Sequence, residues 1–122
     1  MKIINNICWI STELDKKIAE HDITVYKIVL PNTRGIKSLF YKFWYLFNVT
    51  YRGTLAIKLV GSEYYITEGF HSYKTKSQVL FANQFYFKKI VKCVLPKGAI
   101  YYVNNLDEIV SNQIRIIGYE KI

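Results

Sequence analysis

Lys89-Ile90-Val91-Lys92-Cys93-Val94-Leu95, then Pro96-Lys97-Gly98, then Ala99-Ile100-Tyr101-Tyr102-Val103: this stretch decides the fold class. Val91, Cys93 and Leu95 alternate with Ile90, Lys92 and Val94, the period of two that a pleated strand imposes on its side chains. Pro96-Lys97-Gly98 supplies a fixed φ and a permissive residue, so the chain turns there and extended structure resumes over 99–103.

Outward from that hairpin the same logic recurs. Ile23-Thr24-Val25-Tyr26-Lys27-Ile28-Val29-Leu30 is rich in β-branched and aromatic residues and reads as a strand stopping at Pro31. Pro31-Asn32-Thr33-Arg34-Gly35 has turn chemistry. The aromatic run 40–47 reads as a strand, 54–60 as another ended by Gly61-Ser62, and 63–67 as its partner across a tight turn. A last strand falls at 113–117. Two helices are predicted. Thr12-Glu13-Leu14-Asp15 has capping-box spacing and Leu14 and Ile18 lie four apart, which gives a helix over 12–20. Thr75 or Ser77 caps a second, carrying Val79, Leu80 and Phe81 to about residue 83. The expected class is α+β: a compact, mostly antiparallel sheet of five to seven strands with two short helices. No repeat, low-complexity tract or linker divides the chain, so 1–122 reads as a single domain.

The 51% hydrophobic content supplies a core, and disorder is excluded. Seventeen Lys and Arg against nine Asp and Glu leave +8, which keeps nucleotides, nucleic acid and anionic surfaces open as partners. The apolar stretch 39–60 is interrupted by Lys42, Arg52 and Lys58, so it is no membrane span, and no membrane partner is expected. The first residues lack a signal-peptide pattern, which places the protein in the cytoplasm. Cys8 and Cys93 are too few for a disulfide framework, and neither they nor His21 and His71 show metal-ligand spacing. No metal and no cofactor is expected. Cys93, between Val91 and Leu95, reads as a small buried hydrophobe, although a Cys93–His71 nucleophilic pair is formally open.

The candidate site is an anion-binding one. Lys27, Arg34, Lys74 and Lys97 are the cations that a fold must bring together, with Tyr73 or Tyr102 as a stacking face. Gly69-Phe70-His71-Ser72-Tyr73 places an imidazole and a hydroxyl in one short segment, which suits a loop that orients a ligand. Ordinary solvated lysines and sheet-straddling tyrosines are the competing reading of the same residues.

Strings along most of the chain resemble a group of small phage- and prophage-type proteins. They include Glu68-Gly69-Phe70-His71-Ser72-Tyr73 and Leu95-Pro96-Lys97-Gly98-Ala99-Ile100-Tyr101-Tyr102. That resemblance implies a mobile-element origin, hence the cytoplasm of a host cell, and no particular chemistry. A more distant likeness is to the ADP-ribosyltransferase fold, with Val25-Tyr26-Lys27, Gly69-Phe70-His71-Ser72 and Leu95-Pro96-Lys97-Gly98-Ala99 standing at its motif positions. Here Lys27 replaces the family's arginine, and Asn112 or Gln113 stands where its catalytic glutamate is expected. A neutral amide cannot stabilise an oxocarbenium-like centre, so the resemblance implies the fold without the transfer.

The function expected is therefore a non-enzymatic phage or mobile-element protein that holds an anionic, nucleotide-type small molecule. Lys27, Arg34, His71, Ser72, Tyr73, Lys97 and Tyr102 are its contacts, and sequestration of a host immune signal is one use. The alternatives are a module docking on a host or phage protein, a nucleic-acid-binding accessory protein, and a divergent ADP-ribosyltransferase-like enzyme. A homo-oligomer stays open.

Overall fold

The alternating stretch forms β10 (Lys89–Leu95), which lies at the middle of the molecule. The structure is a computed structural model, and it describes residues 10–11, 15–32, 35–38, 44–61, 63–78, 89–104 and 107–120. β10 pairs antiparallel with β3 (Ile23–Asn32) from Lys89↔Val29 to Leu95↔Ile23. Its other edge pairs with β13 (Gln113–Tyr119), with a bulge between Lys92 and Cys93.

The main sheet continues on both sides. Beyond β13 comes β6 (Thr50–Arg52). Beyond β3 come β9 (Phe70–Tyr73), β12 (Glu108–Ser111), β11 (Ile100–Val103) and, at the edge, β2 (Asp15–Ile18). β4 (Gly35–Ser38) pairs with the far half of β3 and carries β5 (Trp44–Tyr45). A separate three-stranded sheet joins β1 (Ile10–Ser11), β8 (Glu63–Glu68) and β7 (Ala56–Val60). At Gly69 the chain turns from β8 into β9 with φ 150°, and a Cβ there would collide with the side chains of Val110 and Leu55. Only glycine tolerates both demands.

β12 and β13 are separated by Asn112 alone, yet β9, β3 and β10 lie between them in the sheet order. The sheet must therefore fold back on itself. Asn112 fastens the closure: its amide donates to the Ile100 carbonyl, its Oδ1 accepts from the Ile100 amide, and its own carbonyl accepts from Gly53. The enclosed face holds one core cluster, including Val25, Phe70, Val91, Cys93, Leu95, Ile114 and Ile116. The β10 alternation holds as read: Val91, Cys93 and Leu95 are wholly buried, while Lys92 on the other face is exposed.

The α+β expectation is corrected to a mostly β fold. The helix placed at 12–20 is instead β2 over Asp15–Ile18, paired with β11 from Ile100↔Ile18 to Val103↔Asp15; residues 12–14 lie outside the described residues. The open edge of β11 offers a full backbone ladder, which outweighs a weak local helix preference, and Asp15-Lys16-Lys17 suits a solvated edge. Of the helix placed at 75–83, residues 76–78 are helical, and residues 79–83 lie outside the described residues. Thr75 caps it reciprocally: Thr75 Oγ1 accepts from the Gln78 amide and Gln78 Oε1 accepts from the Thr75 amide. Five to seven strands become thirteen among the described residues, because β9, β12 and the short strands β4 and β6 carry no alternation long enough to read. β3 also runs through Pro31, past its last pair with β10, where a missing N–H costs no ladder bond. No helix among the described residues is long and apolar enough to cross a membrane.

Candidate ligand-binding site

Residues directly opposite in an antiparallel ladder point to the same side of the sheet, so the register assigns each candidate to a face. Lys27 lies opposite Val91 in β10, which puts it on the core face. Ser72 lies opposite Ile109 in β12, Val103 opposite Ile109 in turn, and Asp15 opposite Val103. With Tyr26 opposite Tyr73, Ser72 and Lys27 are the next position on the neighbouring strands. One row therefore crosses the core face from the exposed edge to the buried middle: Asp15, Val103, Ile109, Ser72, Lys27.

A recess of about 350 Å³ opens along the outer end of that row. Val103, Ile109, Ile23, Tyr101 and the buried Asn104 line it, with the exposed Lys17, Lys74 and Asp15 and the half-buried Asp107 around them. Lys17 reaches Asp15 at 3.5 Å, so its charge is partly matched. Lys74 is exposed and has no carboxylate partner among the described residues. Asn104 is tied to the start of β12: its side chain accepts from the Glu108 amide and donates to the Glu108 carboxylate, and Asp107 takes φ 56°.

At the inner end of the row sit two polar groups that the core leaves short of partners. Lys27 is 5% exposed. Its Nζ donates to the His71 carbonyl at 2.7 Å and lies 5.7 Å from the centre of the Tyr45 ring. No carboxylate pairs with it among the described residues. Burial pulls its pKa down from the usual 10.5 to about 8, with the Cys93 thiol opposing slightly. It is therefore still mostly an ammonium at neutral pH, with at most one hydrogen bond and a ring face to replace its water shell. The Ser72 hydroxyl is fully buried and has no hydrogen-bond partner among the described residues.

His71, Tyr73 and Tyr102 go to the opposite face. Tyr102 lies opposite Val110, Val110 opposite His71, and Tyr73 opposite Glu108. There His71 Nε2 approaches Glu108 Oε2 at 3.4 Å, and the Tyr73 ring meets the imidazole edge-on at 5.0 Å. Burial lowers the His71 pKa against the pull of Glu108, while the imidazole hydrogen bond holds the Glu108 carboxyl below its usual range. A neutral His71 donating to a carboxylate follows. Because Cys93 is on the core face, it does not meet this imidazole, and burial pushes its thiol up to about 12. Lys97 sits exposed in the β10–β11 turn, where its amide donates to Asp22 Oδ1 at 3.0 Å. Arg34 and Cys8 lie outside the described residues.

The structure thus joins Lys27 and Ser72 in one row, adds Lys74 at its outer end, and separates them from His71, Tyr73, Tyr102 and Lys97. Lys17, Tyr101 and Asn104 escaped sequence reasoning. The adjacent pair Tyr101-Tyr102 announced that one ring faces each side, but only the β11 register tells which. No family model matches this chain, and neither a curated protein nor a solved structure matches it.

Proposed function

We propose that the protein is a non-enzymatic binder of a small anionic molecule of nucleotide type, held against the core face in the recess of β2, β11 and β12. The observation that carries this reading is Lys27: a buried ammonium without a carboxylate among the described residues, beside an idle Ser72 hydroxyl, in the row whose outer members Asp15, Val103 and Ile109 line the recess while Ser72 and Lys27 lie behind them. An unpaired buried charge costs several kcal/mol and is retained where it serves a ligand. Lys27 acts as a fixed positive charge behind the recess lining, where low dielectric preserves its field. Lys74 and Lys17 reach the anionic group directly, Tyr101 offers a ring, and Asp15 and Asp107 engage the donors of a base or sugar. A volume of about 350 Å³ is at the small end of ligand sites, which run from about 300 to 1,000 Å³. The phage-type resemblance suggests sequestration of a nucleotide signal as the use of such a site.

A thermal-shift screen with mono-, di- and cyclic nucleotides tests this. At 100 times its Kd a ligand adds about 2.7 kcal/mol of stability, and Lys74→Glu should abolish the shift while leaving the unliganded melting point near that of the parent. A flat response across the whole panel overturns the proposal.

A further inference from the structure

The face of the sheet turned away from the core carries a second pattern. The register places Thr50 opposite Arg115, Arg115 opposite Val94, Lys92 opposite Tyr26, and Tyr26 opposite Tyr73. Arg52 and Lys92 are each two residues from a member of that set and share its side. A stripe therefore crosses five adjacent strands, diagonal over its cations and straight across its rings: Arg52 on β6, Arg115 on β13, Lys92 on β10, Tyr26 on β3 and Tyr73 on β9. Arg52 and Lys92 are exposed, and Arg115 and the two tyrosines are partly so. Diagonal neighbours on a sheet stand about 7–8 Å apart, a step that successive phosphates of an extended strand can follow. Tyr26 and Tyr73 pack on the buried pair Ile28 and Ile90, which gives the rings a firm seat. Three carboxylates border the stripe among the described residues, and Glu120, whose amide donates to the Ile90 carbonyl, is paired with Lys76 at 3.4 Å. Asp22 lies 4.0 Å from Arg115, and Glu108 is already engaged by His71 and Asn104.

We infer that this stripe is a binding surface for single-stranded nucleic acid, distinct from the recess on the core face. Three cations in line neutralise backbone phosphates, and the two rings at the end of the line stack unpaired bases. A duplex hides its bases from such rings. The overall +8 supplies the long-range attraction. The charge pattern favours a polyanion with regularly spaced charges over a lipid surface, because none of the large exposed apolar side chains among the described residues belongs to the stripe.

Fluorescence anisotropy with a labelled oligothymidylate, read at 50 and 200 mM salt, tests this. Three phosphate contacts to a single strand give a slope of about −2 in log affinity against log salt, so affinity falls about 20-fold over that range. Arg52→Glu combined with Lys92→Glu should abolish binding, with a circular-dichroism melt confirming that these surface changes leave the fold intact. Tyr26→Ala should weaken binding without altering the salt slope, and Tyr26→Phe should restore it. The inference is overturned by no binding at 50 mM salt, by a charge-reversed variant that binds like the parent, by duplex competing as well as single strand, or by uptake on phosphatidylglycerol vesicles without uptake of the oligonucleotide.

Discussion

Lys27 and His71 occupy neighbouring strands, are similarly buried, and are treated in opposite ways by the fold. His71, on the outer side, is given a carboxylate at 3.4 Å, and Asn104 steadies that carboxylate in turn. Lys27, on the core side, receives a carbonyl and a ring face, and no countercharge among the described residues. A histidine can escape its burial cost by staying neutral; a lysine at neutral pH does so only in small part. The histidine site is thus internally complete, whereas the lysine site holds its charge against one carbonyl and a ring face.

The largest effect should come from relieving Lys27. Its pKa of about 8 in the fold lies below the usual 10.5 of the unfolded chain. Between those values the unfolded state holds more protons, so stability rises with pH across that window, by about 3 kcal/mol in all. Urea denaturation at pH 7 and pH 10.5 should record this rise, after allowance for other titrating groups by the same comparison in Lys27→Met. That variant should be more stable than the parent at pH 7 and lack the Lys27 portion of the rise, yet lose its response to nucleotide. A Lys27→Met protein that is less stable at pH 7 would mean the ammonium is already well satisfied, and the contrast with His71 would fail.

A smaller effect tests the histidine side. Glu108→Gln keeps the shape of the side chain but removes the charge that supports His71, so the imidazole pKa should fall further and stability should drop by about 1 kcal/mol. The pH dependence has a definite sign. Glu108 has a lowered pKa in the fold, so its contribution is present above the usual carboxylate range and is lost as pH falls through the folded value. The variant should lack that acid limb. The limb below pH 6.5 from His71, whose folded pKa is also lowered, should persist. Proton NMR of the imidazole together with acid denaturation reads both.

How much of this contrast is legible in the chain alone follows from what each signal depends on. The alternation of β10 is local, so its buried and exposed sides are readable, and so is the cap at Thr75. Lys27 stands out among apolar neighbours in β3, but nothing in Val25-Tyr26-Lys27 tells whether its ammonium meets a carboxylate or a carbonyl. Gly69-Phe70-His71-Ser72-Tyr73 suggests a loop that gathers His71 and Ser72 at one point. As a strand it sends them to opposite faces, and a four-residue alternation is too short to announce that. β2 misleads because its helix-like spacing belongs to an edge strand whose pairing partner is some eighty residues away. Long-range register, which no local pattern encodes, decides the site.

The finest test is Ser72→Ala, because it removes one oxygen and almost nothing else. In an ordinary core a buried serine is hydrogen-bonded, and its loss costs about 1 kcal/mol. Here the hydroxyl is buried without a partner among the described residues, so its desolvation is uncompensated and replacement by a methyl group should be neutral or stabilising by a few tenths to about 1 kcal/mol. The same change should weaken nucleotide binding several-fold if the ligand reaches past Ile109, which lines the recess, to the hydroxyl behind it. Stability and affinity then move in opposite directions, as expected for a group kept for what it binds rather than for what it holds together. A parallel loss of both, by chemical denaturation and by titration, would assign Ser72 to the scaffold and leave Lys27 as the only incomplete group in the row.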